Sequence, residues 1–369
     1  MARLNALLAL TAVATAASAT AAHRITAGAV VATVPMSAAR MAHTATPLAD
    51  GTVLIAGGFT AEAEAPRSAE RYDARSGRFT PVARMRIPRY SHTATRLADG
   101  SVLITGGYDA TNTPIAHAER FDPVVNRFVD AGVMTSPRAD HVAVPLTDGT
   151  VLLAGGLAPG WTFLASAERY DPVTGRFTAA SSMRQSRESH VAVRMRDGRV
   201  LVIGGHTGRR ADMRLHTSTE WFDPRTNAWT PGPALLVRRH KHDAVLLPDG
   251  RVLVTGGADE RDMDGVYNST EWLDPATGRF IAGPPLNRGR YKHARSSLVL
   301  TDGRVFIAGG AGWAELFDTA RNRFILVEGD GQLGGNFSAS AGLPNGGALI
   351  TGGYGGGRGP RSSAWVYRP

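Results

Sequence analysis

The sequence predicts an all-β protein, a seven-bladed β-propeller of four-stranded blades whose N-terminal strand completes the last blade. Three observations carry this. A glycine pair recurs seven times, a tight-turn dipeptide stands seven residues ahead of each pair, and the two chain ends hold complementary fractions of one repeat.

The pairs are Gly57-Gly58, Gly106-Gly107, Gly155-Gly156, Gly204-Gly205, Gly256-Gly257, Gly309-Gly310 and Gly352-Gly353, spaced 43 to 53 residues apart. Periods of this size mark stacked or circular repeat architectures. The turn ahead of each pair is Asp-Gly in six copies and Asn345-Gly346 in the seventh. Such dipeptides between apolar runs are the strongest short hairpin signal, because they accept the positive φ of a tight turn.

Each unit reads as four strands. The first follows an Arg-x-x-His, as in His92-Thr93-Ala94-Thr95. The second, as in Val102-Leu103-Ile104-Thr105, is a continuous apolar run of the kind expected where both faces are covered. The third carries Ala118-Glu119-Arg120-Phe121-Asp122-Pro123. A turn such as Asp171-Pro172-Val173-Thr174-Gly175 leads to a short fourth strand, marked by Phe79, Phe128, Phe177, Trp229, Phe280 and Phe324. Four short antiparallel strands per repeat make a propeller blade. The last repeat stops at Trp365-Val366-Tyr367-Arg368 without a fourth strand, and an unpartnered strand around Val30 precedes blade one. Pairing the two closes the ring.

The pattern resembles the kelch-repeat family over residues 26–369, through the Gly-Gly pair, the Tyr/Phe-Asp-Pro and the aromatic after the turn. The likeness is to the repeats of the galactose-oxidase central domain, as found in exported bacterial proteins. It implies a fold and leaves function open, since one fold hosts many. Exported propellers of this kind include copper oxidases resembling galactose oxidase and cofactor-free sugar mutarotases. The oxidase site needs a tyrosine crosslinked to a cysteine, and an adjacent Tyr-His pair; this chain has no cysteine and no such pair. The mutarotases have six blades, against the seven counted here.

Residues 1–21 read as an export signal: Arg3, an apolar stretch from Leu4 to Ala17, and Ala17-Ser18-Ala19 as a small-x-small cleavage site. Residues 22–369 then form one propeller, expected in the periplasm or medium, as a monomer without a membrane anchor. The lack of cysteine excludes disulfides, thiolate metal sites and a cysteine nucleophile. The net charge of +9 comes from scattered arginines with no basic run, so no nucleic-acid partner is expected.

Internal comparison separates scaffold from site. Arg40/His43, Arg89/His92, Arg138/His141, Arg187/His190, Arg239/His242 and Arg290/His293 recur, as do Glu70, Glu119, Glu168, Glu220, Glu271 and Glu315. Recurring charges of this kind are expected to pair within the scaffold. The two residues before each histidine vary instead. They bring Tyr90, Asp140, Glu188, His240, Lys241, Tyr291 and Lys292 to the start of the innermost strands, a mix suited to a polar ligand. Asp140, Glu188, His240 and Lys241 are the catalytic candidates. Blade seven lacks the Arg-x-x-His, a break expected to open the mouth on that side.

The loops between second and third strands lie on the same face. Trp161 and Phe163 in blade three offer an apolar surface for a sugar or protein. Blade four carries Arg209, Arg210, Asp212, Arg214 and His216, and blade five an acidic loop with Asp259, Glu260, Asp262 and Asp264 that lacks the ligand spacing of a calcium site. No metal site and no cofactor are expected. The function expected is recognition of a protein or glycan at the channel mouth. The alternative is a cofactor-free sugar epimerase, mutarotase or lyase, which needs only an acid and a base across the pocket.

Overall fold

The computed structural model describes residues 27–60, 66–329, 333, 335–355 and 359–369. The expected export signal lies outside these residues, as does the centre of the glycine-rich loop of blade seven. Seven antiparallel four-stranded sheets stand around a central channel, as the repeat predicts. Blade three is representative: Val142–Pro145 lines the channel, followed outward by Val151–Ala154, Ala167–Asp171 and Arg176–Ala180. Every residue of the second strand is buried in blades one to five. Those strands are covered on both faces, which explains their unbroken apolar runs. The core lies between blades: Leu54, Ala56 and Ala69 of blade one pack against Val102, Ile104 and Phe121 of blade two.

Closure is as expected. Ala29–Ala32 pairs antiparallel with Ala364–Arg368, with Val30 opposite Tyr367. The Val30 N–H also donates to the Glu328 carbonyl at 2.8 Å, so the closing strand is held to blade six. Joining the ends removes the open edges that a sheet otherwise leaves.

The recurring residues are scaffold. The Arg138 guanidinium, fully buried, donates to the Gly155 carbonyl at 2.9 Å and to Glu168 at 2.7 Å. Glu168 in turn accepts the backbone N–H groups of Thr135 and Ser136 at 2.7 and 3.2 Å. The same Arg–Glu pair closes in six blades, tying each incoming connection to its third strand. The histidines reach backwards. His141 Nε2 lies 3.2 Å from the hydroxyls of Thr93 and Thr105 in the preceding blade. Burial, reinforced by the adjacent Arg138, holds its imidazole far below the ordinary range and so neutral.

The glycine pair is a place of close approach. Gly57 sits at φ 61°, and a Cβ there would meet the Arg89 carbonyl oxygen of the next blade at 2.4 Å. The neighbouring Gly58 N–H donates to that same carbonyl at 2.9 Å. Blade joins blade through backbone at this point, and a side chain would hold them apart.

Candidate ligand site at the channel mouth

Before each innermost strand the chain turns through one residue in the left-handed region: Ala42, Ser91, Asp140, Ser189, Lys241, Lys292 and Phe337, at φ 50° to 54°. The turn brings these seven side chains to the channel. Their backbones link into a circle. Asp140 donates to Ser91, Ser91 to Ala42, Ala42 to Phe337, Phe337 to Lys292, Lys292 to Lys241 and Lys241 to Ser189, at 2.8 to 3.3 Å. Among the described residues, no such bond joins Ser189 to Asp140. The circle is therefore not closed by a backbone hydrogen bond between blades three and four.

Blade seven departs from the expectation here. Its missing Arg-x-x-His does not break the mouth, because Asn336 bridges Tyr354 and Phe337 keeps both ring bonds. The motif binds scaffold; the ring needs only backbone.

All seven ring residues line a cavity of about 290 Å³ at the channel. Below them the wall is formed by alanines, among them Ala45, Ala94, Ala143, Ala192 and Ala244. Small side chains at these positions leave the channel open.

The acids gather between these two blades. Burial, and then the neighbouring Glu188 charge, push the Asp140 carboxyl up to about 7, against hydrogen bonds from Ser91 and Tyr108 and the charge of Lys241. Burial and the Asp140 charge raise the Tyr108 phenol well above its ordinary value. Tyr108 stacks on Tyr90 at 5.1 Å, and Phe59 meets Tyr90 edge-on at 5.2 Å. These rings make an aromatic shelf beside the carboxyl. Tyr90, half-buried, is pushed up to about 12 by desolvation and Asp140.

Glu188 contacts His206 Nε2 at 3.0 Å, and His206 Nδ1 stands 3.3 Å from His240 Nδ1. Burial, and then the charge of Lys241, hold His240 down at about 3, so it is neutral. Lys241 grips both oxygens of Asp262 at 2.8 and 2.9 Å. Lys292 donates to the Tyr354 hydroxyl at 2.9 Å and lies 5.0 to 5.6 Å from the rings of Tyr291, Phe337 and Tyr354. A polar arc thus runs from Tyr108 in blade two to Tyr354 in blade seven.

Of the residues singled out from sequence, Asp140, Lys241 and Lys292 line the cavity. Glu188 and His240 stand behind them in the His206 contact, and Tyr291 is buried beneath Lys292. Phe163 packs edge-on against His206 at 5.8 Å, which joins the blade-three loop to the arc. Trp161 is 54% exposed, with the Arg209 guanidinium 3.1 Å above its ring. The acidic loop of blade five is largely ion-paired: Asp259 with Arg261, Glu260 with Arg238 and Asp262 with Lys241. Tyr108, His206 and Tyr354 escape a reading that compares only the residues before the histidine. They share a signal of their own, since each directly follows a Gly-Gly pair, at a position that varies among Phe, Tyr, Leu, His and Ala from blade to blade.

Residues 138–184 and 189–236, which span blades three and four, match the family described as the Kelch motif. The chain is a seven-bladed β-propeller with Kelch motifs in blades three and four. No curated protein matches it in sequence. Among solved structures, this propeller is similar to a fungal alcohol oxidase of the AA5 family in complex with copper. The TM-score is 0.72 and the identity 15%, over 93% of this chain and 76% of that one. It is also similar to YjhT, with a TM-score of 0.61 and 15% identity over 80% of this chain and 99% of the other. At such identity the likeness is one of fold. Among the described residues of the propeller, no three His, Asp or Glu side chains come together as a metal-binding set, and no helix is long and apolar enough to cross a membrane.

Proposed function

We propose that this propeller recognises a small hydroxyl-rich ligand, of the carbohydrate class, at the channel mouth. One observation carries the reading. The Asp140 carboxyl, which burial and then the Glu188 charge push up to about 7, lines a cavity of about 290 Å³ beside Lys241. A cavity of this size suits a small ligand better than a protein surface. Asp140 can donate or accept, and Phe337 with the alanine wall supplies apolar surface inside the cavity. Sugars present the same combination of hydroxyl edges and C–H faces.

The same carboxyl favours a second reading, a cofactor-free sugar epimerase, mutarotase or lyase. A general acid–base group works best with its pKa near the working pH, and Asp140 meets that condition with Glu188 close by. Carboxyls shifted this way cluster at functional sites. With the export signal read from the sequence, the proposed place of action is the periplasm or medium, and the proposed form a monomer.

The test is a thermal-shift screen of the mature protein against mono- and oligosaccharides, repeated with Asp140→Asn and His240→Ala. Sugar-specific stabilisation that both variants lose supports a carbohydrate site at the mouth. NMR of the selected sugar with the wild type then separates binding from anomer or epimer conversion. No response to any sugar overturns the carbohydrate reading and leaves a protein partner at the Trp161–Phe163 loop.

A further inference from the structure

Blade six departs from the repeat inside the channel. From the histidine to the turn glycine it is two residues longer (His293 to Gly303) than blade one (His43 to Gly51). The extra length bulges at Ala294-Arg295, where Arg295 takes a left-handed φ of 62°. Asp243 of blade five, at the position of Thr44, Thr93, Val142 and Val191 in other blades, holds the bulge. Its carboxylate accepts the backbone N–H groups of Arg295, Ser296 and Ser297 at 3.0, 3.0 and 2.8 Å. That uses most of the acceptor capacity of the carboxylate.

The arginine side chain lines the cavity. Its charge is felt by His92, His141 and His190, in blades two to four on the far side of the channel. Those histidines are held neutral and offer no countercharge. Among the described residues no ion pair or hydrogen bond to the guanidinium is found, although the other channel-lining cations are engaged: Lys241 by Asp262 and Lys292 by Tyr354. The side chain is exposed to the channel, yet the protein packed around it works against its charge, and Asp243 offsets this only in part. A guanidinium carried on a held backbone bulge, exposed to the channel and lacking a protein partner, presents a planar fork of donors to the cavity.

We propose that Arg295 is an anion site inside the channel, which takes a small carboxylate on its guanidinium edge. The carboxylate is either free or borne by a larger ligand that also fills the mouth. Arginine binds this group through two parallel hydrogen bonds. The site stands on channel geometry alone and holds whether or not the mouth binds a neutral sugar.

The experiment is calorimetric titration and thermal shift of the wild type and Arg295→Gln with acetate, glucuronate and glucose, in a constant chloride background. The wild type is expected to bind acetate or glucuronate, with affinity falling roughly tenfold or more in Arg295→Gln. Glucose binding, if present, is expected to be the same in both. Acetate binding marks a free-anion site; glucuronate binding without acetate binding marks a carboxylate carried on a larger ligand. Arg295→Gln without ligand is expected to melt at or above the wild-type temperature, since an unpaired cation is removed. Should that variant not fold, bromide-soaked wild-type crystals give the answer through anomalous density at the guanidinium. No binding of either carboxylate, equal binding by both proteins, or no bromide at Arg295 overturns the proposal.

Discussion

His206 bridges two residues that stand far apart in the sequence: its Nε2 lies 3.0 Å from Glu188 and its Nδ1 3.3 Å from Nδ1 of His240. One of those two Nδ1 atoms must carry the proton and the other accept it. The pair therefore fixes both tautomers behind the wall of the mouth, and it adds a side-chain link between blades four and five to the backbone bond from Lys241 to Ser189. Glu188→Gln should weaken ligand-induced stabilisation while keeping the melting temperature within a few degrees of the wild type. NMR of the imidazole nitrogens would report the tautomers directly, and unchanged His206 and His240 signals in the variant would contradict this role.

Asp140→Asn is expected to stabilise the free protein at alkaline pH. A carboxyl raised to about 7 in the folded state, against 3.8 ordinarily, costs stability as pH rises from about 4 through 7. Below that window the folded state keeps the proton and the cost vanishes. The gain in the variant should be of the order of 4 kcal/mol at pH 8, and near zero at pH 4. Chemical denaturation at the two pH values checks it.

The six scaffold histidines act in the opposite direction. Burial, and then the adjacent arginine, hold His43 and His293 at about 3, and the other four are lowered as well. Between pH 6.5 and 3 the unfolded chain binds protons that the folded one refuses, so stability falls as pH falls. Each histidine contributes a slope of up to about 1.4 kcal/mol per pH unit. Melting temperature should drop steeply below pH 6, and a flat profile down to pH 4.5 would count against neutral histidines.

Breaking one buried ion pair should cost far more than changing the mouth. Arg138→Leu leaves Glu168 buried without its cation, for which about 3–5 kcal/mol is typical. Adding Glu168→Gln should recover part of the loss, because the remaining N–H donors suit an amide oxygen. Urea melts of the single and double variants measure the recovery.

Closure gives the last of these tests. Val30→Asp puts a charge where the closing strand meets Trp365 and Tyr367 in an apolar cluster. The variant should expose the free edge of residues 364–368 and increase self-association, as unpaired edges do. Light scattering against concentration reads this, and an unchanged mass relative to the wild type would argue that closure matters little.

The fold was legible because its most demanding contacts repeat. Gly57 is fixed by the backbone of the next blade and Gly58 by that of its own, and the first glycine meets a next-blade arginine carbonyl in the same way at Gly106, Gly155, Gly204, Gly256 and Gly352. Asp140, Lys241 and Lys292 were legible for the converse reason, being side chains that differ at one ring position whose backbone does not. Asp262 was legible only as a charge in a loop, since nothing local announces that Lys241 of the same blade will reach it. Arg295 was missed because its signal is a length change. Two extra residues between His293 and Gly303 bulge into the channel only because Asp243, fifty-two residues earlier in the chain, captures their backbone. Long-range capture of this kind leaves no local pattern.

The account rests on Asp140 as a carboxyl that can hold or release a proton at neutral pH at the channel mouth. Carbon-13 NMR of the aspartate carboxyls, titrated from pH 4 to 9 and assigned through Asp140→Asn, measures that property directly. The account predicts a midpoint near 7 that moves when a ligand occupies the mouth. A midpoint near 4, unmoved by any ligand that binds, would contradict it.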